Sequence, residues 1–349
     1  FITSGEEEFV YSRVANPTVR MLEDKIADLE GTERAIAVGS GMAAITPVML
    51  ALLKQGDHLL MVDCVYGPAR DFATNVLGNL GVEVEFFTSA ETLNGAAGLA
   101  GRLRPQTRLV YLESPGSLHF ALQDFTAVAE LCRPRGIITM TDNTWSTPLN
   151  QKPHQFGIDV MVHSGTKYIA GHSDLVLGLI ACSQELYERI KPMVVLLGAT
   201  LSPADAYLAL RGLRTLPLRM AQHHEVGLQM AHWLNGRPEV AQVLHPALAG
   251  GELAAKQLTG YSGLFSFVLQ ESTAAAIHAF TNALEVFTVA ISWGGFESLI
   301  LPLHHAADPQ ANIDPAQMRI SLGLEAMEDL MADLERGFEA WRREIDKAG

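Results

Sequence analysis

The residue with the most chemical potential in this chain is Lys167. It follows the apolar run Val160-Met161-Val162 and the hydroxyl residues Ser164 and Thr166, and a second apolar run extends from Leu175 to Cys182. This pattern predicts two short buried strands with the lysine on the loop between them. Partial desolvation of such a lysine lowers its pKa and frees the amine as a nucleophile. Schiff-base chemistry needs such an amine. An isolated lysine on a hairpin would simply sit in water, so the reading depends on its companions.

Three companions are visible. Gly39-Ser-Gly-Met-Ala43 is a glycine turn opening an apolar helix, where outward N–H groups and the helix dipole favour an anion. Alone it is a tight strand-to-helix turn; with the Ser164 and Thr166 hydroxyls it becomes a phosphate cup. Asp142 ends the run Ile137 to Thr141 and so lies at the carboxyl end of a buried strand. It either caps the next helix or partners a heterocyclic nitrogen, an attraction of about 4 kcal/mol at 4 Å in an effective dielectric near 20. Tyr66, just after Leu59–Asp63, either packs in the core or offers a ring face to a flat ligand. Together these groups describe a site for pyridoxal 5′-phosphate.

The elements that must hold them alternate along the chain. A charged amphipathic helix runs from about Thr18 to Leu29 and closes at Glu30-Gly31, before a strand at Ala35–Val38 and a helix from Met42 to Leu53. Leu59–Asp63, a helix from about Ala69 to Leu80, Val82–Phe87, Leu109–Glu113, a helix from about Asp124 to Cys132, and Ile137–Asp142 follow. This is the signature of a mostly parallel sheet with helices on both faces, whose functional residues lie at the carboxyl ends of the strands. Beyond Arg211-Gly212 the texture changes, with Pro217, Pro238 and Pro246 interrupting helical segments. Strands are expected at 262–269, 287–291 and 318–322, and a final helix carries Leu330, Leu334, Phe338, Trp341 and Ile345 on one face. The expected organisation is an arm over 1–16, a large domain over 17–212 and a smaller α+β domain over 213–349.

Composition bounds the rest. The 349 residues are 48% hydrophobic and 18% charged, fitting a globular soluble chain with room for two cores. A formal charge of −14 argues against nucleic acid and anionic membrane as partners. Three cysteines, Cys64, Cys132 and Cys182, lack paired metal spacing and suggest a reducing, cytoplasmic setting with neither disulfides nor zinc. His223-His224 and His304-His305 read as surface or helix-face residues rather than metal ligands. The opening at Phe1-Ile2 without methionine leads us to expect a preceding segment.

The motifs resemble the Cys/Met-metabolism family of fold-type I pyridoxal-phosphate enzymes, most of all its cystathionine β-lyases. They are Tyr11-Ser-Arg13, Gly39-Ser-Gly-Met42, Glu113-Ser-Pro-Gly-Ser117, Asp142-Asn-Thr-Trp145, Ser164-Gly-Thr-Lys167 with Gly171-His-Ser-Asp174, Arg211-Gly-Leu-Arg-Thr215, Ser292-Trp-Gly-Gly-Phe-Glu-Ser298, and Arg319 before Leu322-Gly-Leu-Glu325. The resemblance implies that Lys167 anchors the cofactor and serves as general base, with Tyr66 stacking on the ring and helping to manage protons. It implies that the Gly41 and Met42 amides with Ser164 and Thr166 hold the phosphate, and that Asp142 meets the ring nitrogen. Tyr11 and Arg13 would reach the phosphate of a neighbouring subunit, implying at least a dimer and in full a homotetramer. Arg319, assisted by Ser292 and Trp293, would bind the substrate α-carboxylate; alternation independently places Arg319 and Ser321 on the strand face opposite Met318, Ile320 and Leu322.

The implied reaction is carbon–sulfur β-elimination on cystathionine or another cysteine S-conjugate. Ile291 stands where the γ-acting relatives usually carry an acidic residue to hold a distal ammonium. Conversely, Tyr11-Ser-Arg-Val-Ala-Asn-Pro17 resembles the γ-synthase and γ-lyase side of the family. A non-catalytic binding descendant would have dispensed with Lys167, Asp142 or Arg319, and this chain keeps all three.

Overall fold

The computed structural model describes residue 9 and residues 11–270, 273–303 and 313–348. The chain folds as two compact units. The first comprises the chain to Ser117, Ala121–Ala170 and Asp174–Thr215, and the second Leu118–Phe120, Gly171–Ser173 and the chain from Leu216.

The first unit is built on a seven-stranded sheet: β1 (Arg34–Val38), β2 (His58–Val62), β3 (Glu83–Phe87), β4 (Thr107–Glu113), β5 (Ile138–Asp142), β6 (Val160–His163) and β7 (Gly178–Cys182). Their order is β1-β7-β6-β5-β4-β2-β3. The pairings among β3, β2, β4, β5 and β6 are parallel, whereas β7 runs antiparallel to both β6 and β1. Every residue of β2, β6 and β7 is buried, the near-continuous apolar pattern of strands covered on both faces. Helix α1 (Pro17–Glu30) starts where the Asn16 side chain accepts from the Thr18 amide and stops at Gly31, whose φ of 79° ends it in the left-handed region. Helix α2 (Gly41–Leu52) and the short α3 (Gly67–Asp71) begin directly beyond β1 and β2.

The second unit carries a five-stranded sheet in the order β10-β11-β12-β9-β8, formed by β8 (Val240–Leu244), β9 (Leu264–Leu269), β10 (Thr288–Val289), β11 (Leu299–Pro302) and β12 (Gln317–Ser321). Its final helix, Met327–Ala348, buries Leu330, Leu334, Phe338 and Trp341, while Ile345 stays partly exposed.

Several expectations need correction. The helix expected from Ala69 to Leu80 is α3 followed by one wide π-type turn, Phe72–Leu77. Pro217 does not interrupt the helix Pro203–Asn235, because the missing N–H costs one bond in a rod anchored on both sides by buried Leu216 and Met220. The strand expected over 287–291 shrinks to Thr288–Val289 and pairs parallel to β11. Strands β8 and β11 and the helix Leu93–Ala100 had no clear pattern in the sequence. His223 takes the helix-face alternative, fully buried within the helix Pro203–Asn235, and burial lowers its pKa to about 4; His304 and His305 lie outside the described residues. Among the described residues no cluster of His, Cys, Asp and Glu could hold a metal ion, and no helix is long and apolar enough to cross a membrane.

Candidate active site

Strand β6 ends at the buried His163, and the chain turns at once, with the Lys167 amide donating to the Ser164 carbonyl at 3.1 Å. Tyr168, Ile169 and Ala170 are buried immediately afterwards, so a rigid turn carries the half-buried Lys167. Thr166 fastens the loop across its base. Its hydroxyl donates to the Leu177 carbonyl at 3.1 Å and accepts from the Leu177 amide at 3.0 Å.

The start of α2 comes close to this turn. Ser40 caps the helix by accepting from the Ala43 amide, while the Gly41 and Met42 amides lie in the first turn, where no intrahelical acceptor exists. A Cβ on Gly41 would lie 2.8 Å from Ser164 Cβ and 3.0 Å from its Oγ, so only glycine lets the helix end and this hydroxyl approach so closely. A Cβ on Gly178 would lie 2.0 Å from the Ser40 carbonyl, so β7 depends on the same economy of bulk. Amides, dipole and hydroxyl converge as an anion cradle.

Asp142 lies at the end of β5 as expected and joins the same cluster through Thr144. The aspartate accepts from the Thr144 amide at 2.8 Å, and the Thr144 hydroxyl accepts from the Ser164 amide at 2.8 Å. Burial pushes the Asp142 carboxyl above the usual carboxylate range, while hydrogen bonds from Thr144 and the His163 charge pull it back. Glu113, its register partner on β4, is driven well above that range by burial and by Asp142. Two carboxyls at the carboxyl ends of adjacent strands suit a cationic ring, whose charge would in turn favour the ionised form of the one that meets it. Glu113 Oε2 also accepts from the Tyr66 amide at 2.7 Å. Tyr66 is 46% exposed, which excludes core packing and leaves its ring available to a ligand. The cradle, the carboxyl pair and the lysine fit a phosphate, a protonated pyridine and an aldehyde respectively.

The residues expected from the sequence at the substrate carboxylate lie in the second unit. Arg319 is buried within β12, and its guanidinium donates to the Ile291 carbonyl. This burial excludes an exposed surface salt bridge. Ser292 is exposed and Trp293 partly so; Gly294 turns the segment at φ 82° and its amide donates to Ser321 Oγ at 3.3 Å. Ser298 locks the segment down, its Oγ donating to Glu325 at 2.7 Å and accepting from the Gly323 amide at 2.8 Å.

Contacts thus join Lys167, Ser164, Gly41, Asp142 and Tyr66 through Thr144 and Glu113. Tyr11 and Arg13 do not join that cluster within one chain. Tyr11 is exposed, and Arg13 lies over its ring while donating to the Val195 carbonyl at 2.7 Å. The roles of Glu113 and Thr144 in the cluster went unread in the sequence, although Glu113 ends a buried strand just as Asp142 does.

Comparison with known proteins identifies the family. The model of the family described as Cys/Met metabolism PLP-dependent enzyme matches residues 2–339. The chain belongs to this family, and pyridoxal 5′-phosphate is its cofactor. A Rhizobium johnstonii protein provisionally described as cystathionine beta-lyase is 42% identical over 343 residues, covering 96% of this chain and 86% of its own. Cystathionine beta-lyase MetC of Escherichia coli K12 is 40% identical over 344 residues, covering 95% and 86%. The crystal structure of cystathionine gamma-lyase from Lactobacillus plantarum complexed with L-serine superposes with a TM-score of 0.91 at 31% identity, covering 98% of this chain and 91% of its own.

Proposed function

We propose that this protein is a carbon–sulfur β-lyase converting cystathionine, or a related cysteine S-conjugate, to a thiol, pyruvate and ammonia. The observation that carries the choice of β over γ chemistry is Ile291. Its carbonyl takes the Arg319 guanidinium, while its side chain is apolar and 76% exposed. A substrate held there by its carboxylate meets hydrocarbon, not the acid that would hold a distal ammonium. The two β-lyase relatives, at 42% and 40% identity, support the same choice.

Pyridoxal phosphate supplies an electron sink for charge developing at the substrate Cα. In this reading Lys167 would be its covalent anchor, and its Nζ would take up the substrate Cα proton. The Gly41 and Met42 amides, Ser164 and Thr166 would hold the phosphate. Asp142 would meet the ring nitrogen and Tyr66 would lie against the ring. Arg319 forks onto the α-carboxylate with Ser292 and Trp293 beside it. Lys167 or Tyr66 would deliver a proton as the thiol departs, and the released three-carbon fragment, still carrying the amino nitrogen, would take up water to give pyruvate and ammonia. Tyr11 and Arg13 serve the phosphate site of a neighbouring subunit in a homotetramer working in the cytoplasm.

Product analysis tests the reaction. With cystathionine the expected keto acid is pyruvate, accompanied by homocysteine. A γ-acting enzyme, the reading favoured by Tyr11-Ser-Arg-Val-Ala-Asn-Pro17 and by the likeness to the γ-lyase structure, gives 2-oxobutyrate instead, and that product would overturn the proposal.

A further inference from the structure

Glu30, the last residue of α1, is completely buried. Its Oε1 accepts from Asn143 Nδ2 at 3.0 Å and pairs with His163 Nε2 at 2.6 Å. Asn143 directly follows Asp142, and His163 directly precedes Ser164. One carboxylate therefore grips the residues adjoining both the aspartate and the serine. On the other side Thr144 ties those two together, accepting from the Ser164 amide and taking the Asp142 carboxylate at its own.

Stability does not account for this arrangement. An apolar replacement of a buried ion pair is often neutral or stabilising, and this network is only partly satisfied. Glu30 Oε2, His163 Nδ1, Asn143 Oδ1 and Gln151 Nε2 are buried without a hydrogen-bond partner among the described residues, and buried polar groups are costly unless satisfied. The network lies directly behind the strand-end cluster. The groups facing Asp142 are Glu113 and Tyr111 on β4 and His163 on β6; Glu30 faces His163 from α1.

We propose that Glu30 is a positioning residue for the cofactor, clamping Asn143 and His163 so that Asp142 and Ser164 keep the spacing that the ring nitrogen and phosphate require. This rests on the reading that Asp142 and Ser164 hold those two groups. Through His163 the clamp also keeps a hydrogen-bonded imidazole behind Asp142, so its loss acts on the environment of the ring and not only on the fold.

The test uses purified holoenzyme, measuring the cofactor's dissociation constant by equilibrium dialysis and its environment by visible absorbance and circular dichroism. Glu30→Gln should raise the dissociation constant about tenfold or more, the scale at which partners behind a ligand act, and change the visible dichroic band. His163→Gln, which keeps an amide donor toward Glu30, should retain part of the affinity and also alter that band. Asp142→Asn and Ser164→Ala are the references. If they weaken the cofactor while both clamp variants bind within twofold of the parent with unaltered spectra, the positioning role is wrong, even if melting temperatures fall. If the references leave the cofactor untouched, the underlying assignment of Asp142 and Ser164 is wrong and the inference falls with it. Should Glu30→Gln fail to fold, His163→Gln decides by the same two readouts.

Discussion

Replacing Gly41 by alanine should weaken cofactor binding without unfolding the protein. The new Cβ would lie 2.8 Å from Ser164 Cβ, 3.0 Å from its Oγ and 3.2 Å from its Cα. Carbon atoms in contact prefer about 3.5–4.0 Å, so α2 and Ser164 must separate by about 0.7–1.2 Å. Ser164 cannot yield freely, because Thr144 holds its amide at 2.8 Å and its carbonyl holds the Lys167 amide at 3.1 Å. A phosphate bond that begins near about 2.9 Å is then stretched beyond useful length. Losing one hydrogen bond to a charged group costs about 1.5–3 kcal/mol, or about 10- to 150-fold in the dissociation constant. The helix propensity gained from alanine, about 1 kcal/mol, strengthens the helix in both cofactor-bound and cofactor-free protein and does not offset this loss. Equilibrium dialysis of the holoenzyme reads the change directly. Gly67→Ala is the contrast, because nothing lies within 4 Å of its added Cβ, and it should bind normally. A Gly41→Ala enzyme binding cofactor within twofold of the parent would refute the argument that the close approach of helix and serine builds the phosphate cradle.

Lys167→Ala should abolish turnover and remove the yellow colour while circular dichroism shows the fold retained; pyruvate release at the parental rate would remove the lysine from the mechanism. Arg319→Ala should raise KM by about 30- to 1,000-fold, the equivalent of about 2–4 kcal/mol for a buried charged pair, as steady-state kinetics with cystathionine would measure. Burial lowers His245 to about 4, so the unfolded chain binds the extra proton first as pH falls from about 6.5, and stability is lost progressively toward pH 4. His245→Asn, which keeps the cap on the Ala247 amide but cannot take a charge, should flatten that acid limb in pH-dependent melts. Glu113 has the opposite sign. Its raised carboxyl contributes fully below the ordinary carboxylate range of about 4.3, and the contribution fades as pH rises through the folded value. Glu113→Gln, which mimics the protonated acid, should therefore lessen the loss of stability on the alkaline side, and an unchanged pH–stability profile would mean that Glu113 carries no raised proton.

The groups legible in the sequence were those whose position follows from strand periodicity. Lys167, Asp142 and Arg319 each stand on or beside a run of alternating or continuous apolar residues that fixes where the side chain begins, and Gly41 stands at a strand-to-helix turn. Less legible were features decided by packing between distant segments. Nothing near Pro217 announces that the helix passes through it, because the compensation comes from the buried Leu216 and Met220 on either side. Strand β11 lacked a distinctive pattern because Leu299–Pro302 is a short apolar run ending in proline, and its pairing with β12 supplies the missing definition.

Glu30 shows the same limit in sharper form. In the sequence it is one more acid at the end of a charged helix, and a helix-terminal glutamate belongs in water. Only the fold reveals that its partners are 113 and 133 residues away, at Asn143 and His163. A side chain whose meaning depends on contacts so remote cannot be read from local spacing. The residues proposed to hold the cofactor belong to local motifs, whereas the residues proposed to keep those motifs at the right separation are dispersed along the chain. The clamp variants therefore test something the motifs leave open, namely whether the strand-end loops hold their geometry unaided or depend on a buried carboxyl group supplied by the first helix.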